Sequence, residues 1–165
     1  MPTQIKTYFG DITALEIDCI VNAANAQLAG GGGGVDLAIH NAAGQKLFDE
    51  CQEIRKTKFP NGLPEGEAVI TQGYSLPAKY VIHTVGPIWY GGGNNEAKKL
   101  YNCYFNSLKL AMENEIRRIA FPAISTGVFG YSKEKAKKIA DKAVADFVKQ
   151  NPEAFDEITH ILYKK

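Results

Sequence analysis

An α/β layered fold with a mixed, largely parallel sheet is the architecture this sequence predicts, and three observations predict it. Short segments rich in alternating and β-branched residues take turns with segments whose apolar residues recur at three- and four-residue steps, the pattern of strands exchanging with helices. The chain has 165 residues, 45% of them hydrophobic and 22% charged, which suits one globular domain and is short for two. Two glycine-containing turns, Gly30 to Gly34 and Ser125 to Gly130, each stand between a strand pattern and a helix pattern, where such sheets hold ligands. A chain of this size buries roughly 70% of the surface its unfolded form exposes and needs no disulfide or metal to hold a core.

Strands are expected, in order, at Gln4 to Phe9, Ile17 to Val21, Ala68 to Thr71, Tyr80 to Val85, Arg118 to Pro122 and Glu157 to Tyr163, from alternation and β-branched content. A brief helix is expected to start at the end of the glycine run, and a short apolar stripe follows at Leu47, Phe48, Cys51 and Ile54. Ala97, Leu100, Tyr101, Tyr104, Phe105, Leu108, Ala111 and Met112 place one apolar stripe on a long helix. Ala136, Ile139, Ala140, Ala143, Phe147 and Val148 do so on another, with Ser132 as N-cap and Glu134 in its first turn. Phe59 to Gly66 reads as an internal loop.

Lys+Arg 19 against Asp+Glu 18 leaves a formal charge of +1, so strong binding to a long nucleic acid is not expected. Lys133, Lys135, Lys137 and Lys138 read as the solvated side of the last helix. Met1 to Gly10 carries no apolar stretch behind a basic region and no window approaches eighteen uninterrupted apolar residues, so a cytoplasmic protein without membrane contact is expected. Cys19, Cys51 and Cys103 have no Cys-x-x-Cys spacing and lie far in sequence from His40, His83 and His160. They read as reduced, buried thiols, and no metal or cofactor is expected.

Five consecutive glycines lose much backbone entropy on ordering, and an anion bound by their N–H groups beside a helix N-terminus would offset that cost. The alternative is a floppy surface loop. The run does not fit Gly-x-Gly-x-x-Gly, since the third position falls on Val35 or Asp36, and no Gly-Lys-Ser/Thr follows. The second turn, Ala123-Ile-Ser-Thr-Gly-Val-Phe-Gly-Tyr131, also suits an anion, and two such turns suit a compact diphosphate gripped by neutral amides. A competing reading makes Ala123-x-Ser125-x-Gly127 a nucleophile elbow, with His160 and one of Asp141, Asp146 or Asp156 downstream. Asn25 and Asp36 bracket the glycine run. An amide that orients a sugar hydroxyl and a carboxylate that accepts a proton from water are what hydrolysis of a ribose-linked ester requires. His40, four residues beyond Asp36, shares its helix face and reads as structural.

At these residues the sequence resembles the macrodomain family, most closely its MacroD-like branch of O-acetyl-ADP-ribose deacetylases and mono-ADP-ribosylhydrolases. The matching stretches are Gly10-Asp-Ile-Thr13, Ile20-Val-Asn-Ala-Ala-Asn25, Gly31 to Asp36 with Ala38-Ile-His40 and Ala42-Ala-Gly44, Leu76 to Pro87, and Phe121 to Gly127. The resemblance implies a single macrodomain over 1–165 with a three-layer α/β/α fold and a cleft for ADP-ribose. It implies that Asp11 accepts a hydrogen bond from the adenine amino group, that the Ile12 backbone meets the ring, and that Asn25 holds the distal ribose. Gly33, Gly34 and Val35 would line one side of the diphosphate, and Ser125, Thr126, Gly127, Val128 and Phe129 the other. Asp36 is implied as the catalytic acid, acting on water that attacks O-acetyl-ADP-ribose or the ester joining ADP-ribose to a protein Asp or Glu. The partners implied are those molecules and ADP-ribosylated proteins, met by a monomer. A non-catalytic ADP-ribose reader is the alternative. Three departures stand out: a fifth glycine where the family has four, Leu37 where it has glycine, and no counterpart after Lys165 of the family's C-terminal helix.

Overall fold

The computed structural model describes residues 2–31, 33–127 and 129–162, and the expectations that fell on Gly32, Val128 and Tyr163 lie outside them. Along the chain run β1 (Gln4–Phe9), a 3-10 turn (Ile12–Ala14), β2 (Cys19–Ala24), α1 (Gly34–Ala43), α2 (Gln45–Lys58) and β3 (Ala68–Gln72). They are followed by β4 (Tyr80–Val85), α3 (Glu96–Glu113), β5 (Arg118–Phe121), α4 (Lys133–Gln150) and β6 (Glu157–Leu162). The strands form one sheet in the order β1-β6-β5-β2-β4-β3. Every neighbouring pair is parallel except β3 with β4.

Alternation along the strands sorts side chains into two cores. Cys19, Val21, Ile82, Ile119, Phe121 and Ile158 face α3 and α4, where they meet Leu100, Tyr104, Leu108, Ala140 and Phe147. Ile20, Ala24, Val81, Val85 and Ala120 face α1 and α2 and meet Ile39, Ala43, Leu47 and Cys51. The result is the three-layer α/β/α sandwich. Ser132 caps α4 as its sequence position predicts, its hydroxyl accepting from the Lys135 amide at 3.4 Å.

Several strand limits differ from those the propensities suggest: β2 starts at Cys19 instead of Ile17, and β3 runs one residue further, to Gln72. β2 continues past Val21 to Ala24, although asparagine disfavours strand structure. Its ladder with β4 holds in register from Cys19–Tyr80 to Ala24–Val85, and the Asn22 side chain finds partners inside the protein. β5 stops at Phe121, because Pro122 has no N–H to give to a ladder.

Phe147 on α4 is buried between Phe105, at 5.3 Å in an edge-on arrangement, and Phe155 at 5.8 Å. Phe147→Ala is expected to lower unfolding stability by about 3–5 kcal/mol, read as a lower urea midpoint at an unchanged slope.

Candidate functional site

β2 and β5 are parallel neighbours, yet the chain leaves β2 for α1 on one face and β5 for α4 on the other. Such a divergence opens a crevice at the strands' carboxyl ends. The two glycine-containing turns fall there.

The first turn begins where Asn25 Oδ1 accepts from the Ala29 amide at 3.1 Å, which fixes the chain direction after β2. Gly33 then takes φ +73°, open to glycine at no steric cost, and starts α1 as an N-cap with no side-chain capping bond. The first-turn amides of α1 therefore lack a side-chain cap, and a helix start in that state favours an anion. Val35 lies in the same turn, half-buried. Asp36 is only 2% exposed, while Leu37 beside it is 46% exposed.

The second turn is fastened from both sides. The Ser125 carbonyl accepts from the Tyr131 amide at 2.9 Å, the Gly127 carbonyl from Gly130 at 3.0 Å, and Thr126 Oγ1 donates to the Ala123 carbonyl at 2.8 Å. Ser125 is buried with φ +67°. It lies so close to Gly86, at the end of β4, that a Cβ on Gly86 would collide with its hydroxyl. From outside, the Trp89 amide donates to the Phe129 carbonyl at 2.8 Å, and the Trp89 ring packs on Tyr131 at 4.9 Å. Trp89 itself is held by a loop wound on Glu96, whose carboxylate accepts from the amides of Tyr90, Gly92 and Asn94. Those three donors hold the Glu96 carboxyl down to about 2, against its burial.

Beneath the first turn lies a buried polar group that spacing did not foretell. Asn22 on β2 stands opposite His83 on β4. Its Nδ2 donates to Asp36 Oδ1 at 2.8 Å and lies 3.1 Å from His83 Nδ1. His83 Nε2 lies 3.0 Å from Thr71 Oγ1 and 3.7 Å from Cys51 Sγ. His40, one turn beyond Asp36, brings Nε2 to 3.6 Å from Asp36 Oδ1. Burial holds the His83 imidazole down to about 3, with His40 adding to the effect, and pushes the Cys51 thiol up to about 12. His40 is also lowered by burial, which outweighs the pull of Asp36. His40, Cys51 and His83 put possible ligand atoms within 4.8 Å of one another, but both His83 nitrogens already have partners.

Among the described residues, three buried polar atoms around this crevice have no hydrogen-bond partner: Asn22 Oδ1, His40 Nε2 and Ser125 Oγ. Buried groups of this kind are normally satisfied, and all three belong to residues on or beside the segments that follow β2 and β5. A groove of about 600 Å³ lies elsewhere, among Met112, Glu115, Arg117 and Asn151 at the amino end of β5. The Arg117 guanidinium there is already taken up by Asp156 and by the carbonyls of Glu153 and Ala154, which leaves that groove without a free cation to hold an anion among its described residues.

Asn25, Gly33, Gly34, Val35 and Asp36 thus follow β2, and Ser125, Thr126, Gly127 and Phe129 follow β5, its parallel neighbour; Val128 lies outside the described residues. Asp11 has a local role as well, its Oδ1 accepting from the amide and hydroxyl of Thr13 at 2.9 and 2.7 Å to cap the 3-10 turn, with Ile12 buried behind it. The nucleophile elbow lacks its base, since Ser125 Oγ has no partner among the described residues. His160 lies within β6, its ring 6.1 Å from those of Tyr104 and Phe121. Asn22, Thr71, His83 and Glu96 went unread in the sequence. The available signal was a polar residue inside each of two strongly apolar strands.

The Macro domain family matches residues 21–140. An O-acetyl-ADP-ribose deacetylase of Citrobacter koseri is 50% identical over 172 aligned residues, spanning 100% of this chain and 96% of that protein. A solved Oceanobacillus iheyensis macrodomain with ADP is 42% identical at a TM-score of 0.90, over 96% of this chain and 83% of that one. A Trypanosoma brucei macrodomain in complex with ADP-ribose is 40% identical at a TM-score of 0.87, over 98% and 64%. The fold and site define an α/β/α protein with a diverging-strand crevice, and the chain belongs to the macrodomain family.

Gly86→Ala would set a Cβ against Ser125 Oγ and 2.7 Å from Ile124 Cγ2. Overpacking of that kind is expected to cost about 1–3 kcal/mol, measured by urea unfolding. Glu96 supplies a pH signature. Its folded carboxyl titrates at about 2, below the ordinary 4.5, so its stabilisation is complete above the ordinary value and lost as pH falls towards about 2. Wild type should therefore exceed Glu96→Gln in stability by a constant margin at neutral pH. That margin should shrink through the acid range in urea titrations at stepped pH.

Proposed function

We propose that this chain is a hydrolase of ADP-ribosyl esters. It holds the diphosphate of ADP-ribose between the Gly33–Val35 and Ser125–Phe129 turns and acts on water through Asp36. The observation that carries the reading is the position of Asp36: first turn of α1, two residues past the glycine run, held by Asn22 at 2.8 Å. A carboxylate there sits beside the proposed diphosphate subsite without belonging to it.

The remaining roles are those the family resemblance implies, and the geometry leaves room for them. Asn25 Oδ1 is occupied by the Ala29 amide, which leaves its Nδ2 to donate to a hydroxyl of the distal ribose. Backbone amides of the two turns neutralise the diphosphate, in keeping with a formal charge of +1. Phe129, tied to Trp89 through its carbonyl, covers the distal ribose and limits bulk water. Asp11 and Ile12 take the adenine end, Asp11 as acceptor for the ring's amino group. The substrates are O-acetyl-ADP-ribose, as the name of the Citrobacter koseri relative supports, and the ester between ADP-ribose and a protein Asp or Glu. No metal or organic cofactor is assigned a step.

A second reading, an ADP-ribose reader without turnover, draws on the burial of Asp36, 2% exposed, and on the bulk of Leu37 beside it. One paired assay separates the two. Wild type should release ADP-ribose from a glutamate-linked mono-ADP-ribosyl peptide and acetate from O-acetyl-ADP-ribose. Asp36→Ala should lose on the order of 10²-fold or more in kcat while binding ADP-ribose with affinity close to wild type by calorimetry. Tight binding with no product from either ester establishes the reader, and an Asp36→Ala variant as fast as wild type removes Asp36 from the mechanism.

A further inference from the structure

The hydrogen bonds beneath Asp36 point to one arrangement of protons, and the Asn22 end defines it. A carboxylate oxygen accepts, so the Asn22 group facing Asp36 Oδ1 at 2.8 Å is the amide N–H₂. The same nitrogen lies 3.1 Å from His83 Nδ1. That ring atom must therefore accept, which leaves the proton of the neutral imidazole on Nε2. From the other end, Thr71 Oγ1 donates its one hydrogen to the Gln72 carbonyl at 3.1 Å. With its hydrogen on that carbonyl, the hydroxyl accepts from a protonated His83 Nε2, 3.0 Å away, and Cys51 Sγ, 3.7 Å from the same nitrogen, can accept as well. The Thr71 and Cys51 contacts at Nε2 thus accommodate the tautomer that Asn22 selects at Nδ1.

We infer that His83, locked as its Nε2–H tautomer by Thr71, is a positioning residue that turns the Asn22 amide so that its second N–H meets Asp36 Oδ1. The inference rests on Asp36 being the group that acts on water. Asn22 cannot hold this orientation by itself. Its Oδ1 has no partner among the described residues, so the two N–H bonds carry the orientation, and only one of those goes to Asp36. Removing the acceptor at His83 Nδ1 frees the amide to rotate. His83 and Asn22 are fully buried and Thr71 is 2% exposed, so no bulk solvent replaces a lost bond. The ring's imidazole is held down to about 3, so it stays neutral at working pH and passes no proton to Asp36. It is anchored through Thr71 to the backbone of β3 and acts by orientation alone.

Thr71→Val removes the hydroxyl at nearly constant shape, and Thr71→Ser keeps it. His83→Asn retains an acceptor near the Nδ1 position, whereas His83→Gln retains only a group near Nε2. Long-range proton–nitrogen NMR on the whole chain should show a neutral wild-type ring with protonated Nε2 and bare Nδ1 from about pH 5 to about pH 8. Thr71→Val should mix the tautomers and Thr71→Ser should restore one. In ester turnover, Thr71→Val and His83→Gln should lose on the order of tenfold in kcat with KM and ADP-ribose affinity within about twofold. Thr71→Ser and His83→Asn should recover most of that loss. A ring protonated on Nδ1 overturns the inference, as does a Thr71→Val variant that loses kcat no more than Thr71→Ser, or loses binding and kcat together. The tautomer is read without substrate. An inactive wild type would therefore overturn the hydrolase reading while the ring signals still decide the orientation of Asn22.

Discussion

β2 and β5 lie side by side and run parallel, but the chain leaves β2 for α1 on one face of the sheet and β5 for α4 on the other. No continuous layer can close over that seam, because the segments that would cover it move apart. The two turns that begin there must supply their own order. Asn25 does so for one, and the Ser125–Tyr131 and Gly127–Gly130 bonds for the other. Backbone amides are concentrated where apolar cover is missing, which is why the crevice suits an anion better than an apolar ligand.

A second constraint is set one layer down. Burying Asp36, Asn22, His83 and Thr71 costs free energy unless each finds partners, and the four bond to one another in a row that ends on a β3 carbonyl, leaving over only Asn22 Oδ1 among their described polar atoms. Such rows are cooperative: a change at Thr71 is felt at Asp36 although the two do not touch. The Glu96 loop plays a similar part on the outside. It braces Trp89 against the Phe129 carbonyl, so the outer turn is held by contacts that never reach the crevice.

The sequence shows the layers well and the site in part. Helices α3 and α4 are readable because their apolar stripes repeat over many residues, and Ser132 is readable because a cap is a local device. The strand order is not, since nothing local says that β5 lies beside β2 or that β1 pairs only with β6. The same limit explains the site. Asn25, Asp36 and Ser125 flank or lie within the two glycine-containing turns, and the family resemblance gave them roles. Asn22 and His83 lie 61 residues apart and become neighbours only through the register of β2 on β4. Thr71 joins them only because β3 returns antiparallel on the far side of β4. The glycine run from Gly30 was legible as a constraint, but the direction of Asp36 was set by Asn22, outside the run.

The central claim is that neutral amides of two turns, at the ends of β2 and β5, receive a diphosphate beside Asp36. Amide nitrogen NMR of the whole chain titrated with ADP-ribose tests it most directly. The account predicts that the largest shifts fall on Gly33 to Asp36 and on Ser125 to Phe129, with an affinity that changes little as salt is raised. Shifts confined to other surfaces, such as the groove at Arg117 and Asn151, or an affinity that collapses with added salt, would contradict it.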